Sequence, residues 1–491
     1  MRTASKWWLS LGVLLVGLAH MRWGIGALAF VAPIPFLVFL RAARGARDWA
    51  WFGLALFLGY CVAIAKIITA PIPFLLVPAF ALPIAALAFC AYFAWSMTRS
   101  FAQRWVAPLV FAGATVVTEA VQHRFTEFGS WGTVAYTQLD DLPLLQVSSL
   151  VGMAGVSFLV SWVAASLESA RAERDLRPAL AAFGLLLLAL AFGVLRLGFA
   201  TTGPTVTVAA IGTDSTIAGF PYPPPEELER INERLFARTA EAATRGAKLV
   251  GWTEAATLVP PRDEAAFMQR LSAAAASHHI ELVAAWVVPD DAALRYENKL
   301  AWVRPDGSIA QVYRKHHPVP GEPATPGTEP HWTLETAAGR ASAAICYDFD
   351  FPALARAEAQ LGVDLVVVPS SDWKGIDPLH TQMASVRAIE NGFSLLRPTR
   401  WGLSAGFDAY GRVRGWQSSF DAAPGVLLIE LPARGVATLY TAIGDAFVGV
   451  CAVLVLLALS RRLVLASSPT SSSSSLDRDH FGAPPRSLRG D

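Results

Sequence analysis

Three short motifs contain side chains that could catalyse chemistry at a carbonyl carbon, and each follows an apolar, strand-like run. The motifs are Gly251-Trp252-Thr253-Glu254, Tyr313-Arg314-Lys315 and Ile345-Cys346-Tyr347-Asp348. A thiolate at Cys346 could attack the carbonyl carbon, Glu254 could take the thiol proton, and the Lys315 ammonium could hold the oxyanion. Because sites in open α/β sheets form outside the strand ends, this order of residues predicts that the three side chains converge.

Each of these residues also has a structural explanation when it is taken alone. A single Glu or Lys is usually a solvated surface charge, and a single buried Cys is usually a small apolar residue. Cys61, Cys90 and Cys451 lie inside long apolar runs, and we interpret them in this second way. Only Cys346 lies in a less apolar region, so no disulfide framework is expected.

The region 203–434 has the pattern of an α/β domain that could position the three motifs. Its β-rich apolar stretches are 205–211, 248–252, 280–287, 300–303, 341–346 and 365–369. Helical spacing and charge appear at 225–245, 263–277 and 378–391, and turn signals appear at Asp306-Gly307 and Tyr410-Gly411. This alternation predicts a mixed sheet with helices on its faces.

The composition favours a membrane protein with one less apolar region. Hydrophobic residues make up 54% of the 491 residues and charged residues 16%, whereas soluble domains usually carry about 25% charged residues. The first 200 residues hold only 14 Lys and Arg and 8 Asp and Glu. The net charge of +1 offers no basic excess for binding nucleic acid. These values exclude a disordered chain, a nucleic-acid-binding protein and an ordinary cytosolic enzyme.

Eight apolar segments are candidates for membrane-spanning helices, which need about 20 apolar residues each. They cover residues 7–20, 23–40, 50–68, 71–95, 106–120, 145–167, 178–198 and 437–460. Basic residues cluster in alternate connections, for example Arg41, Arg44 and Arg47, then Arg171, Arg174 and Arg177. By the positive-inside rule, this alternation places both termini in the cytoplasm and the region 201–436 on the outer side.

We therefore predict four parts of the chain. They are a transmembrane domain of about seven helices at 1–200, an extracytoplasmic domain at 203–434, a final transmembrane helix at 437–460 and a disordered, Ser-rich cytoplasmic tail at 463–491. The aromatic connection 121–144 either anchors the chain at the membrane surface or forms a lip that presents lipid. Residues 1–20 lack a clear small-x-small cleavage site, so we favour an uncleaved helix over a signal peptide.

The set of Glu254, Lys315 and Cys346 resembles the catalytic triad of the nitrilase superfamily. The eight spans, with a domain inserted between the seventh and the eighth, resemble the apolipoprotein N-acyltransferases of the bacterial inner membrane. This resemblance covers most of the chain. Further matching motifs are 132–138, 152–158, Asn298, 305–307, 371–373 and the run His380-Thr-Gln-Met-Ala-Ser-Val-Arg387-Ala-Ile-Glu390-Asn391-Gly392.

The resemblance implies a fold and a set of residue roles. The fold would be a nitrilase-like α-β-β-α sandwich inserted in a polytopic helical membrane domain. Glu254 would be the general base, Lys315 the oxyanion-stabilising cation and Cys346 the nucleophile. Glu322 would match the family's second essential glutamate. The supporting residues beside the nucleophile would be Tyr347 and Asp348.

The chain departs from the family pattern near the predicted site. Asp348 stands where the family usually has a glutamate, and Arg400 stands where it favours asparagine. The stretch 211–215 lacks the usual Gln-x-Asn motif after the first strand. A thioester must be shielded from water until an amine arrives, and the candidate lids are 216–225 and 401–420.

The resemblance also implies a ping-pong acyl transfer without a metal or an organic cofactor. Cys346 would take an acyl chain from a membrane phospholipid as a thioester, and the α-amine of a diacylglyceryl-cysteine lipoprotein would receive it. The enzyme would act as a monomer, with no nucleic-acid partner and with its catalytic domain on the periplasmic side of the inner membrane. The six histidines of the region 203–434 match no zinc spacing; they are His278-His279, His316-His317, His331 and His380.

Three other functions stay open from the sequence. A membrane-tethered nitrilase-like amidase or hydrolase would resolve the thioester with water. An acyltransferase could use a different acceptor, and a non-catalytic scaffold could keep the fold without the reaction. The presence of Glu254, Lys315 and Cys346 together argues against the scaffold.

Overall fold

The computed structural model of the protein describes residues 5–99, 105–201, 203–213, 222–290 and 292–467. The predicted tail from residue 468 onward and most of the candidate lid 216–225 lie outside these residues. The first residues of the predicted tail, 463–467, instead continue the last helix.

The first part of the chain is helical. Its helices are α1 Trp7–Ala19, α2 Gly26–Ala29, α3 Ile34–Ala42, α4 Ala46–Ala65, α5 Val77–Thr98, α6 Val106–Phe125, α7 Leu142–Leu145, α8 Ser148–Val151, α9 Met153–Glu173 and α10 Arg177–Gly198. Two further helices, α15 Leu439–Ile443 and α16 Ala446–Ser467, follow the sheet domain described below. We call α1–α10 with the connections between them, together with α16, the helical part.

Among the described residues, four helical stretches are long and apolar enough to cross a membrane. They are α4, α5 with its preceding turn (Phe74–Thr98), α9 and α10. The shorter apolar helices are Trp7–Ala19, Gly26–Ala42, Leu142–Val151 and Ala446–Arg461. Each of the eight predicted segments contains a helix, but the number of spans stays a prediction.

Glycine interrupts the helix in two of the predicted apolar segments. The sixth segment was expected to begin at 145, but the long helix begins at Met153 because Gly152 has a φ of +68°. The eighth was expected to begin at 437, but α15 ends at Ile443 and Gly444 has a φ of +57° before α16 begins. This left-handed backbone conformation suits glycine and interrupts a helix.

The region after α10 forms a domain of two large sheets, which we call the sandwich domain. Its strands are β1 Thr205–Ile211, β2 Leu249–Trp252, β3 Thr257–Leu258, β4 Glu281–Asp290, β5 Arg295–Val303, β6 Ile309–Arg314, β7 Leu334–Thr336, β8 Gly339–Ala343, β9 Leu365–Val367, β10 Ser370–Ser371, β11 Ser394–Arg397, β12 Thr399–Arg400, β13 Leu403–Phe407, β14 Val413–Ser418 and β15 Val426–Pro432. Its helices are α11 Pro225–Thr244, α12 Glu264–His278, α13 Pro352–Gln360 and α14 Leu379–Asn391.

Both large sheets are mixed, as the sequence predicts. The first has the order β15-β1-β2-β4-β5-β6, with β3 paired to β4, and the second has the order β14-β13-β11-β9-β8-β7. Parallel pairing joins β1, β2 and β4 in one sheet and β8, β9 and β11 in the other. The predicted turns at Asp306-Gly307 and Tyr410-Gly411 connect β5 to β6 and β13 to β14.

The side-chain alternation of β1 explains the layers of the sandwich domain. Val208 and Ala210 pack against the second sheet, whereas Ala209 and Ile211 pack beneath α11 and α12. Helices α13 and α14 contact each other and cover the second sheet with Ala355, Ala384 and Ala388. Because successive strand residues point to opposite faces, the near-continuous apolar strands are those of a sheet covered on both sides. The result is an α-β-β-α sandwich.

The helical part and the sandwich domain meet through hydrogen bonds between side chains and backbone. Trp373 Nε1 donates to Ile67 O at 2.8 Å. The Tyr347 hydroxyl donates to Glu127 O at 2.9 Å. The connection 121–144 is therefore packed against the sandwich domain at the residue that follows Cys346.

Gly193 tests the close packing of α10 against α7, the short helix that contains Pro143. A Cβ at this position would lie 1.8 Å from Pro143 O, whereas a Cβ at Gly184 on the same helix meets nothing within 4 Å. We expect Gly193→Ala to lower the free energy of unfolding by roughly 1–3 kcal/mol through overpacking. The measurement is thermal or denaturant unfolding in detergent micelles. Gly184→Ala is the matched control, and equal stability of the two variants would contradict this packing.

Candidate active site

The predicted residues lie at the strand ends of both sheets. Glu254 lies two residues after β2, and Lys315 directly follows β6. Cys346 was expected at the end of a strand 341–346, but β8 ends at Ala343 and Cys346 opens a 3-10 helix, Cys346–Asp350. The sequence thus placed Cys346 in the correct connection but in the wrong type of element.

The Lys315 ammonium is the centre of the site. Its Nζ lies 2.8 Å from Glu254 Oε1 and 2.8 Å from Glu322 Oε2, and its side chain is only 2% exposed. Burial alone would lower the pKa of Lys315, but the two carboxylates outweigh burial and hold the pKa well above its usual value. The lysine is therefore a permanent cation in the site.

Two neutral hydrogen-bond donors orient the Glu322 carboxylate toward Lys315. Its Oε1 accepts from the Tyr296 hydroxyl at 3.0 Å and from Asn298 Nδ2 at 3.2 Å. Burial would raise the pKa of Glu322, but Lys315 outweighs burial and the pKa is lowered. Asn298 also donates to Glu254 Oε1 at 2.7 Å, so one amide orients both carboxylates.

Cys346 has a strained backbone and a buried thiol. Its φ is +46°, and the neighbouring Ala255 and Trp401 also have positive φ values of +46° and +54°. Non-glycine residues in this region store strain and cluster at functional sites. Burial raises the pKa of the Cys346 thiol well above its usual value, with Glu254 adding to the rise and Lys315 opposing it. The resting thiol therefore keeps its proton and needs a base.

Asp348 ties the nucleophile segment to the lysine segment. Its Oδ1 accepts from the backbone N–H groups of His316 at 3.0 Å and His317 at 2.8 Å. Its Oδ2 accepts from the Tyr313 hydroxyl at 2.8 Å and from Ile345 N at 3.0 Å. The carboxylate is fully buried, so its function here is to fix the two segments relative to each other.

Arg400 adds a second buried cation to the site. Its guanidinium donates to Ser371 Oγ at 3.1 and 3.2 Å and to Ala255 O at 3.3 Å. Burial lowers the pKa of Arg400, and the charge of Glu254 opposes this. Arg400 therefore contributes positive charge beside the two carboxylates on Lys315.

Two cavities adjoin each other at the site, and Cys346 lines the apolar one. An apolar cavity of about 300 Å³ reaches from the sandwich domain into the helical part; its lining includes Ile64, Ile67, Ile68, Phe80, Trp131 and Cys346. A more polar cavity of about 370 Å³ is lined by Tyr222, Glu254, Arg295, Lys315, Glu322 and Arg400. Pro71, Ile72 and Trp373 line both cavities. From the candidate lid 401–420, Trp401 lines the polar cavity.

The structure also brings together residues whose role the sequence did not predict. His380 bridges Asp350 and Asp372, and Arg397 binds Asp372. One ligand-type atom each of Cys346, Asp372 and His380 lie within 4.8 Å of one another, a spacing that could hold a metal ion. Both imidazole nitrogens and both Asp372 oxygens already have partners. The cluster is therefore an ion-pair network in this structure. The only sequence signal for it was the match at 371–373 and 380–392.

The sandwich fold and the arrangement of Glu254, Lys315 and Cys346 define a domain of the carbon–nitrogen hydrolase class. Residues 207–445 match the family model described as carbon-nitrogen hydrolase, and residues 12–166 match the model of the apolipoprotein N-acyltransferase N-terminal domain. The two matches together cover most of the chain, which is therefore similar to the apolipoprotein N-acyltransferases.

Two curated relatives carry that name. The apolipoprotein N-acyltransferase of Geobacter metallireducens is 29% identical over 378 residues, which cover 68% of this chain and 71% of the relative. The one from Bradyrhizobium diazoefficiens is 28% identical over 400 residues, which cover 72% and 73%. Among solved structures, an amidase from Nesterenkonia sp. aligns with a TM-score of 0.40 at 23% identity, covering 51% of this chain and 98% of the amidase.

Asp348→Asn tests how the nucleophile and lysine segments are fixed. An amide has only one oxygen, so its NH₂ group would face two of the four donors that Asp348 now satisfies. We expect the free energy of unfolding to fall by roughly 2–3 kcal/mol, because a buried charged acceptor is lost. Denaturant unfolding measures this value. The exposed turn variant Asp306→Asn should change it little, and an equally small effect of Asp348→Asn would contradict the assigned role.

Proposed function

We propose that the chain N-acylates apolipoproteins, the reaction for which these relatives are named, and that Cys346 carries the acyl group as a thioester. The observation that supports this most strongly is that Cys346 lines an apolar cavity that shares Pro71, Ile72 and Trp373 with the polar cavity. The apolar cavity extends into the helical part and suits a lipid acyl chain. The polar cavity contains Glu254 and Lys315 and suits the reacting polar groups.

In the first half-reaction, Glu254 takes the Cys346 proton and the thiolate attacks an ester carbonyl of a phospholipid. The negative charge on the carbonyl oxygen is stabilised by Lys315. When the tetrahedral intermediate collapses, the ester C–O bond breaks and Glu254 returns the proton to the leaving oxygen. The products are a lysophospholipid and an acyl thioester on Cys346.

In the second half-reaction, the α-amine of a diacylglyceryl-cysteine lipoprotein attacks the thioester. Glu254 takes a proton from the amine, the C–S bond breaks, and the proton returns to the sulfur. The products are the amide and the free thiol. This chemistry needs no metal or cofactor.

Lys315 can stabilise the oxyanion without leaving its carboxylates. An ammonium has three N–H donors, and Glu254 and Glu322 each take one. The third can donate to the substrate oxygen. Glu322 is then a supporting residue that holds the ammonium in place, and Tyr347 and Asp348 support the nucleophile segment.

We further propose eight membrane spans, a periplasmic catalytic domain, cytoplasmic termini and a monomeric enzyme in the inner membrane. The alternating arginines support this arrangement, and so do exposed apolar residues on α10 such as Leu187 and Leu188. Labelling of single engineered cysteines with an impermeant thiol reagent tests the topology. Reaction of a cysteine next to Arg44 from the outside would overturn it.

The first test of the reaction is intact mass spectrometry of the purified protein in phospholipid. We expect an acyl adduct on Cys346 that hydroxylamine removes and that a diacylglyceryl lipopeptide discharges to an N-acyl product. Cys346→Ala is the control and should carry no adduct. An adduct that water discharges as free fatty acid would favour a hydrolase, and an adduct that is stable to the lipopeptide would favour another acceptor.

Lys315→Arg tests the role of the buried cation. Arginine keeps the charge, but its planar fork cannot reproduce the geometry of an ammonium between two carboxylates. We expect the rate of acyl-enzyme formation to fall at least about 100-fold, the usual effect of losing one oxyanion donor. Lys299→Arg is a matched control, because Lys299 is also buried and ion-paired, to Glu264 at 2.9 Å. A near-normal rate in Lys315→Arg would remove the lysine from the mechanism.

A further inference from the structure

A second group of buried charges lies beside Cys346, separate from the lysine and its glutamates. His380 Nδ1 lies 2.7 Å from Asp372 Oδ1, and Nε2 lies 3.0 Å from Asp350 Oδ2. Arg397 binds both oxygens of Asp372, at 3.0 and 3.1 Å. All four side chains are exposed by 5% or less. We call these four residues the His380 network.

The two carboxylates beside its ring favour a protonated His380. Both of its ring nitrogens face a carboxylate oxygen at hydrogen-bond distance, and each such contact needs a proton on the nitrogen. Arg397 Nη2 also lies 2.9 Å from His380 Nδ1, because both nitrogens contact the same oxygen, Asp372 Oδ1. Burial and Arg397 would lower the pKa of His380, yet Asp350 and Asp372 outweigh them and raise it to about 9.

The His380 network lies close enough to act on the nucleophile. One nitrogen of His380, one oxygen of Asp372 and the Cys346 sulfur lie within 4.8 Å of one another. With His380 protonated, the network holds two cations and two anions and is neutral. Without that proton, it would carry an uncompensated negative charge beside the sulfur and would oppose the thiolate.

The helical part fixes the far end of the His380 network. Trp131, in the connection 121–144, donates from Nε1 to Asp350 Oδ2 at 2.9 Å. Its ring centroid lies 5.4 Å from that of His380. Ser130 N also donates to Asp350 O at 2.8 Å. The carboxylate that orients His380 is thus held by the helical part as well as by the sandwich domain.

We propose that His380, held between Asp350 and Asp372 and tied to the helical part through Trp131, is a positioning residue that keeps a positive charge beside the Cys346 thiolate. The thiolate forms twice in the proposed reaction, once before attack on the donor and once when the amine displaces it. The role of His380 in catalysis rests on the proposed function. The charge itself can be measured without any acyl substrate.

A measurement of Cys346 reactivity must allow for every charged group around His380 and Cys346. Those that face His380 are Asp350, Asp372, Arg397 and Cys346, and those that act on the thiol from other elements are Glu254, Lys315 and Arg400. Only His380 is expected to lose its charge between pH 8 and 10 among the four residues of the network. A change in that pH window therefore reports on the imidazolium.

The experiment compares the alkylation rate of Cys346 by iodoacetamide in the full-length protein and in His380→Gln, from pH 6 to 10.5. Peptide mapping by mass spectrometry separates Cys346 from Cys61, Cys90 and Cys451. Below pH 8, we expect alkylation to be about tenfold slower in His380→Gln, because a cation at this distance favours the thiolate by about one pKa unit or more. As the pH rises through about 9, the wild-type imidazolium loses its proton and the ratio of the two rates should approach one.

A merely structural role would not produce this pH-dependent ratio. Equal rates at every pH, or a constant ratio across the range, would overturn the proposal. His331→Gln is the control, because His331 is also paired with a carboxylate, Glu358 at 2.9 Å, and should leave the rates unchanged. Because alkylation needs no lipid, these outcomes stand whether or not the acyl-transfer reaction is confirmed.

A second variant covers the case in which His380→Gln does not fold. Asp350→Asn removes one of the carboxylates that keep His380 protonated, while its remaining oxygen can still accept from Trp131. We expect the pH dependence of alkylation that follows the imidazolium to shift to a lower pH than in the wild type, because one of the two carboxylates that hold the proton on His380 is lost. Wild-type rates throughout in a folded Asp350→Asn would overturn the role of the His380 network.

Discussion

The site depends on keeping the Lys315 ammonium charged although its side chain is only 2% exposed. A buried, unpaired charge costs several kcal/mol, so Lys315 can exist there only because two carboxylates lie within 2.8 Å of it. The same contacts fix the position of the Glu254 carboxylate, which Asn298 also holds. The rest of the sandwich domain positions Lys315 and its two glutamates. The strand ends converge, Asn298 orients the carboxylates, and Asp348 holds the lysine and cysteine segments together.

The helical part does more than anchor the catalytic domain. It forms one wall of the apolar cavity at Cys346, so a lipid chain could reach the thiol without leaving an apolar environment. It also binds Tyr347 and Asp350, two residues of the 3-10 helix that begins at Cys346. A tethered domain also gains effective concentration for lipid substrates. The same contacts therefore join the helical part to the segment that contains Cys346.

The two groups of charges around Cys346 follow one principle. In each, a cation is buried between two carboxylates, and a second cation lies nearby: Arg400 beside the lysine triad and Arg397 in the His380 network. Neither group leaves a large net charge in a low-dielectric interior, where an imbalance is costly. The sulfur between them can accept a transient negative charge because it is surrounded by charges that are already fixed.

The amino-acid sequence alone indicated Glu254, Lys315 and Cys346 as candidate site residues and the strands that precede them, because apolar periodicity and motif order are local properties. It also indicated the helical segments, but not where α9 and α16 begin, because these starts depend on the backbone at Gly152 and Gly444. Only the tertiary structure revealed the His380 network. Its members and Trp131 come from five separate stretches of the chain. Whether His380 is charged depends on which carboxylates the fold brings to its two nitrogens.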